Sequence, residues 1–213
     1  MQVNALLIGT ILGDGHVQKT QSKTEKCRLR ISHSLEQKDY VDWKFSQLQN
    51  LCSSLPKYDE KKNSYQFYTD YSADLKLYHD LFYEKTEKTY RKVIRPLLKN
   101  YLTDPISLAV WYCDDGSKRT DCDACRIATH CFSLEEIKIL QAILLDNFEI
   151  PSHIVKAGRS RNKKGNYHYQ WYSLSLSSRD GGYHRLRELI LSYVESKIPS
   201  MRYKLEVRRP RND

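Results

Sequence analysis

Two stretches of the chain are apolar almost throughout and stop on an acidic residue followed by glycine. The first is Leu7-Ile8-Gly9-Thr10-Ile11-Leu12-Gly13-Asp14-Gly15, and the second is Leu108-Ala109-Val110-Trp111-Tyr112-Cys113-Asp114-Asp115-Gly116. An apolar run with so little polar relief predicts a buried helix, and the glycine predicts its stop in a left-handed residue. A basic loop is expected after each run, then a strand at residues 28–32 or 126–129. Residues 35–51 have helical spacing behind a serine cap, with Trp43 and Phe45 among the apolar positions, and residues 134–148 repeat that pattern. Residues 64–69 and 167–177 alternate and are rich in tyrosine, so they read as strands, as does 153–157. Helical spacing returns at 73–83 and at 183–194. The fold class expected is α+β, with antiparallel strands and helices on one face.

These elements come twice in the same order. Cys27-Arg28-Leu29-Arg30-Ile31 is echoed by Cys125-Arg126-Ile127-Ala128-Thr129, and Ser34-Leu35-Glu36 by Ser133-Leu134-Glu135. Three shared segments in one order indicate an internal duplication. The halves are expected at residues 1–95 and 107–213, joined by a linker at 96–106 that Pro96 and Pro105 punctuate.

Charge narrows the partner. Thirty-five Lys and Arg against 26 Asp and Glu give a net charge of +9, which favours a polyanion through counterion release. A membrane is not expected, because the most apolar run, residues 3–12, falls far short of the ~20 residues of a spanning helix. No secretory leader is recognisable at the start. An intracellular setting, bacterial cytoplasm or an organelle, is therefore expected rather than secretion. The six cysteines then read as reduced thiols, including the lone pair Cys122 and Cys125, with Cys113 in the core.

Small residues at Ala5, Gly9 and Gly13 share one helical face. Such a face lets a second helix backbone come close, and the duplication supplies one. Two helices crossing there would bring Asp14 and Asp115 together at their carboxyl ends. Paired carboxylates at that pole repel each other and the helix dipole, so a divalent cation is expected between them. Mg²⁺ suits such a site, since it takes a few carboxylate oxygens and keeps room for waters and phosphate.

The two nonapeptides resemble the motif that names the LAGLIDADG family, and the chain is similar to its single-chain, double-motif members over nearly its whole length. The ending Ile198-Pro199-Ser200-Met201-Arg202-Tyr203-Lys204-Leu205 is also similar to that family's. The first motif is looser, with Thr10 and Leu12 where the name has leucine and aspartate, but the eighth position is aspartate in both copies. The resemblance implies two pseudo-symmetric αββαββα halves, with paired motif helices at the centre and antiparallel sheets forming a DNA-binding saddle. It implies a monomeric, site-specific homing endonuclease that cuts a long double-stranded target and leaves 3′ overhangs. Asp14 and Asp115 would be the catalytic metal ligands for Mg²⁺, with Mn²⁺ able to substitute. It further implies one catalytic lysine per half, Lys204 and, in preference to Arg91, Lys92. The alternative is an intron RNA maturase with the same fold, whose partner is host intron RNA.

Groove-reading side chains should alternate along the strands, away from the helices. Arg28 and Arg30 do so around Leu29 and Ile31, and Arg126 is their counterpart. Lys19, Lys23 and Lys26 at one tip, and Lys118, Arg119, Lys156, Arg159 and Arg161 in the other half, are expected DNA contacts. On the last strand, polarity favours His168 and Gln170. Arginine and glutamine suit guanine and adenine edges, while other contacts reach only phosphate.

Overall fold

The computed structural model describes residues 2–20, 25–161 and 167–206, and among these the side chains of all but residues 2, 159–161 and 167–169. The first half runs α1 (Gln2–Leu12), β1 (His16–Lys19), β2 (Cys27–Ser34), α2 (Lys38–Leu48), β3 (Lys57–Asp59), β4 (Ser64–Tyr68) and α3 (Lys76–Phe82). A short hairpin follows, β5 (Tyr83–Lys85) with β6 (Tyr90–Lys92). The second half runs α4 (Pro105–Asp115), β7 (Gly116–Lys118), β8 (Ala124–Ala128), α5 (Leu134–Phe148), β9 (His153–Arg161), β10 (Tyr167–Ser177) and α6 (Gly182–Lys197). A 3-10 segment, Pro199–Leu205, closes the described chain.

The duplication is complete at the level of topology. One antiparallel sheet has the order β1-β2-β4-β3, and the other has β7-β8-β10-β9. The α+β, twice-αββαββα fold is therefore as expected. The expected basic loop after each motif helix is instead a strand, β1 or β7. These are short and mostly polar, with Val17 the one core side chain, so they show no alternation, and their place is set by pairing with β2 and β8. The 3-10 turns Leu35–Gln37 and Gln49–Leu51 flank α2, so its α-helical part is shorter than the sequence pattern suggests.

One hydrophobic core runs through both halves, with α1 and α4 at its centre. β2 alternates cleanly: Cys27, Leu29, Ile31 and His33 are buried, while Arg28, Arg30 and Ser32 are only partly covered and Ser34 is exposed. The helix starts of the second half are well specified. Asp104 caps α4 by accepting from the amide of Ile106 at 2.8 Å, with Pro105 in the first turn. Ser133 and Glu136 form a capping box on α5. Among the described residues the six cysteines are unpaired thiols, Cys113 lying in the core. No described helix is long and apolar enough to cross a membrane.

Candidate active site at the paired helix ends

Backbone contact between α1 and α4 is made by the small-residue face. A side-chain carbon added at Gly9 would lie 2.3 Å from the Ser107 carbonyl oxygen, and one at Gly13 would meet the Asp114 side chain. The Ser107 hydroxyl bridges the helices by donating to the Ala5 carbonyl at 2.8 Å. The glycines after the acids differ from expectation, since neither has a left-handed backbone; Gly116 is extended, at φ −76°. Space dictates them instead. A side chain at Gly15 would strike the Thr10 carbonyl, and one at Gly116 the Tyr112 carbonyl and ring.

This close crossing brings three acids together: Asp14, Asp114 and Asp115. The Asp14 side chain is 47% exposed. Asp115 is crowded: burial first, then Asp114 and Asp14, pushes its carboxyl up to about 8, with Lys92 pulling the other way. Asp14, His33 and Asp114 each offer one ligand atom, and these atoms all lie within 4.8 Å of one another. His33 Nδ1 lies 3.5 Å from Asp14, and its Nε2 is buried without a hydrogen-bond partner, 3.8 Å from Asp114. Burial and the nearby Lys44 keep the His33 ring below its usual pKa, which suits a neutral ligand or acceptor. Asp14 and His33 offer donors that fit a divalent cation, whereas both oxygens of Asp114 already accept hydrogen bonds from the protein. Asp115 stands outside that tight trio but within its electrostatic reach.

Two lysines complete the centre from opposite sides. Lys92, on β6, donates to the carbonyls of Gly13 and Gly15 at 2.7 and 3.1 Å. Lys204, on the final 3-10 segment, donates to those of Cys113 and Asp114 at 2.6 and 3.2 Å. Each lysine thus sits on the negative end of one motif helix. Burial lowers the pKa of both. Arg91 points elsewhere: it pairs with Glu136 and ties β6 to α5.

Three members of the centre escaped the sequence reading. Asp114 accepts from Lys44 at 2.7 and 2.9 Å and from the Tyr40 hydroxyl at 2.8 Å. Lys44 is fully buried although it is a lysine. The signal was present, because Lys44 lies on the stripe of Tyr40, Val41 and Leu48, where an apolar residue belongs. His33 likewise sits on the inward side of β2 with Leu29 and Ile31.

The outer faces of the sheets carry the expected cations unevenly. Arg28 pairs across the sheet with Gln18, and Arg30 with His16 and Tyr68. The Arg28 guanidinium lies over the rings of Tyr68 and Tyr71, 4.5 and 4.8 Å from their centres. Arg126 is exposed and stands beside Ser117 and Ser175. Lys26 and Lys156 are exposed, and Lys118 is half-buried. Lys19 is paired with Glu25 and Arg119 with Asp121. Gln170 departs from expectation. Alternation puts it on the side of buried Leu174 and Leu176, and its amide donates to the carbonyls of Gly158 and Trp171. Lys23 lies outside the described residues, as do the side chains of Arg159, Arg161 and His168.

Comparison with known proteins agrees with this architecture. Cytochrome b mRNA maturase bI2 of Saccharomyces cerevisiae is 27% identical over 217 residues, which takes in 96% of this chain and 47% of the maturase. The chain thus spans about half the length of that relative. Probable intron-encoded DNA endonuclease 3 of Mycosarcoma maydis is 28% identical over 148 residues, 69% of this chain and 96% of that protein. The homing endonuclease I-WcaI, solved bound to its DNA recognition sequence, superimposes with a TM-score of 0.76 at 22% identity, covering 98% of this chain and 88% of that one. A family match described as LAGLIDADG DNA endonuclease spans residues 4–179, and because it runs through both motif helices and both sheets, the chain belongs to the LAGLIDADG DNA endonuclease family.

Proposed function

We propose that this protein is a monomeric, site-specific endonuclease that hydrolyses both strands of a long double-stranded DNA target and leaves 3′ overhangs. The observation that carries the reading is the meeting of two motif acids at paired helix ends, each end gripped by its own lysine. Asp14 and Asp115 would hold the resident divalent ions, Mg²⁺ with Mn²⁺ able to substitute. When bound, such an ion supplies positive charge at the scissile phosphate and a more acidic water.

The chain's own groups do the rest. Lys92 and Lys204 stand ready to steady charge that develops on the phosphate, and their burial makes that charge count for more. Arg28, Arg30 and Arg126 supply the groove-facing donors, with Lys26, Lys118 and Lys156 on the backbone. Lys19 and Arg119 join them once their ion pairs with Glu25 and Asp121 open to phosphate.

A second reading is favoured by one observation, the likeness of 96% of this chain to a cytochrome b mRNA maturase. On that reading the partner is host intron RNA. The deciding experiment incubates the protein with the intron-free insertion-site duplex and Mg²⁺, beside Asp14→Asn and Asp115→Asn. Staggered double-strand cutting, lost in either variant, supports the nuclease. Tight binding with no cut in Mg²⁺ or Mn²⁺ removes it and leaves the maturase.

A further inference from the structure

The two halves repeat in topology but not in chemistry at one position. Asp114 occupies the place in the second motif that Gly13 occupies in the first. Its side chain has no exposure, and both carboxylate oxygens are engaged. One takes Tyr40 and Lys44, and the other takes Lys44 and the backbone amide of Asp14, at 3.1 Å. With its lone pairs spent inside the protein, Asp114 cannot also bind an ion without releasing Lys44.

What Asp114 holds is the first motif acid. α1 ends at Leu12, so Asp14 lies past the helix; the amides of Gly13 and Gly15 tie back to the carbonyls of Gly9 and Thr10, while the amide of Asp14 itself is held from α4 by Asp114. α4 continues through Asp115, so that acid is fixed by its own helix. The counter-charge follows the same asymmetry. Lys44 comes from α2 of the first half, and the matching stretch of α5 buries Ile143 and Leu144. The buried aspartate of the second motif has a buried lysine from α2 to neutralise it, and at the glycine position of the first motif there is no side-chain charge to neutralise, so the matching stretch of α5 is aliphatic. A buried carboxylate needs such a partner.

From this, and resting on the nuclease reading above, we propose that Asp114, neutralised by Lys44, is a positioning residue for Asp14 alone. The acids of the two halves are set by unlike devices, and cutting of one DNA strand depends on the Lys44–Asp114 pair while cutting of the other does not.

The test uses Lys44→Met with Asp114→Asn, a pair that removes both charges together so that neither is stranded. Single Asp114→Asn serves as a second variant, keeping the shape and leaving Lys44 unpaired. Each strand of the insertion-site duplex carries its own end label, and single-turnover rates are read in Mg²⁺. The expected result is a loss of tenfold or more on one strand, little change on the other, and accumulation of a nicked duplex. Mn²⁺ affinity is measured separately by calorimetry without DNA, in an Asp115→Asn background that leaves only the Asp14 centre. A tenfold weakening by the double variant is expected there. Equal slowing of both strands with unchanged Mn²⁺ affinity overturns the proposal and makes the pair a fold contact only. Wild-type rates on both strands overturn it as well. If wild-type protein cuts nothing, the nuclease reading fails, and the Mn²⁺ titration alone still decides whether Asp114 positions Asp14.

Discussion

Gly9→Ala tests whether the acids meet because the two motif helices touch through their backbones. In an ordinary helix this change is favourable by about 1 kcal/mol, since alanine is the better helix former. Here the new carbon would sit 2.3 Å from the Ser107 carbonyl oxygen and 2.9 Å from the Val110 side chain. The first obstacle is backbone, so it cannot rotate away. The helices must part by about 1 Å, a gap at which facing atoms forfeit a quarter to a half of their dispersion attraction. Overpacking of this kind costs about 1–3 kcal/mol, and a backbone obstacle argues for the upper end. Set against the propensity gain, the net loss is about 2 kcal/mol, or roughly 4–8 °C in melting temperature for a chain this size. The Ser107–Ala5 bond, 2.8 Å long, should weaken with it. Urea midpoints and thermal melts of the two proteins measure the effect directly. A Gly9→Ala protein as stable as the parent, or more so, would refute the close crossing, and with it the reason Asp14 and Asp115 share a site.

Three further outcomes are expected. Lys92→Met and Lys204→Met should each slow DNA cutting about 10²–10³-fold with DNA affinity nearly kept, as read by single-turnover cleavage and by binding in Ca²⁺. In metal-free protein the folded Asp115 keeps a proton that the unfolded chain gives up, because its folded pKa is raised to about 8. Stability from this group is therefore full in acid and lost as pH rises from the ordinary carboxylate range through about 8, and Asp115→Asn should flatten that slope in urea titrations. Mg²⁺ takes the proton's place, so its stabilising effect should grow over the same window. Arg28→Ala should cost about 1–3 kcal/mol of discrimination at a single base pair if the Tyr68–Tyr71 stack aims it at a base edge, whereas a uniform loss across all sequences would make it a phosphate contact.

What the sequence made legible was whatever repeats or has a period. The duplicated motif, the helix at 134–148 and the strand at 167–177 are found where patterning puts them, because core burial enforces the spacing along each element. β1 and β7 were not legible, since a strand of three or four residues with at most one apolar side chain is specified by its neighbour and not by itself. The same distinction divides the candidate site. Asp14, Asp115 and Lys204 sit inside motifs, so they could be named from the chain alone. Lys92 could be preferred to Arg91 only weakly, because what separates them is that Arg91 is drawn off to Glu136, a long-range pairing. Lys44 carries the lesson furthest. A lysine on an apolar stripe breaks the local rule for a buried helix face, and such a break survives only where something distant compensates. The compensating group, Asp114, also breaks the repeat, standing where its counterpart is glycine. Each violation on its own reads as noise. Taken together they form one buried ion pair across the seam between the halves, next to the acid on which the proposed chemistry depends.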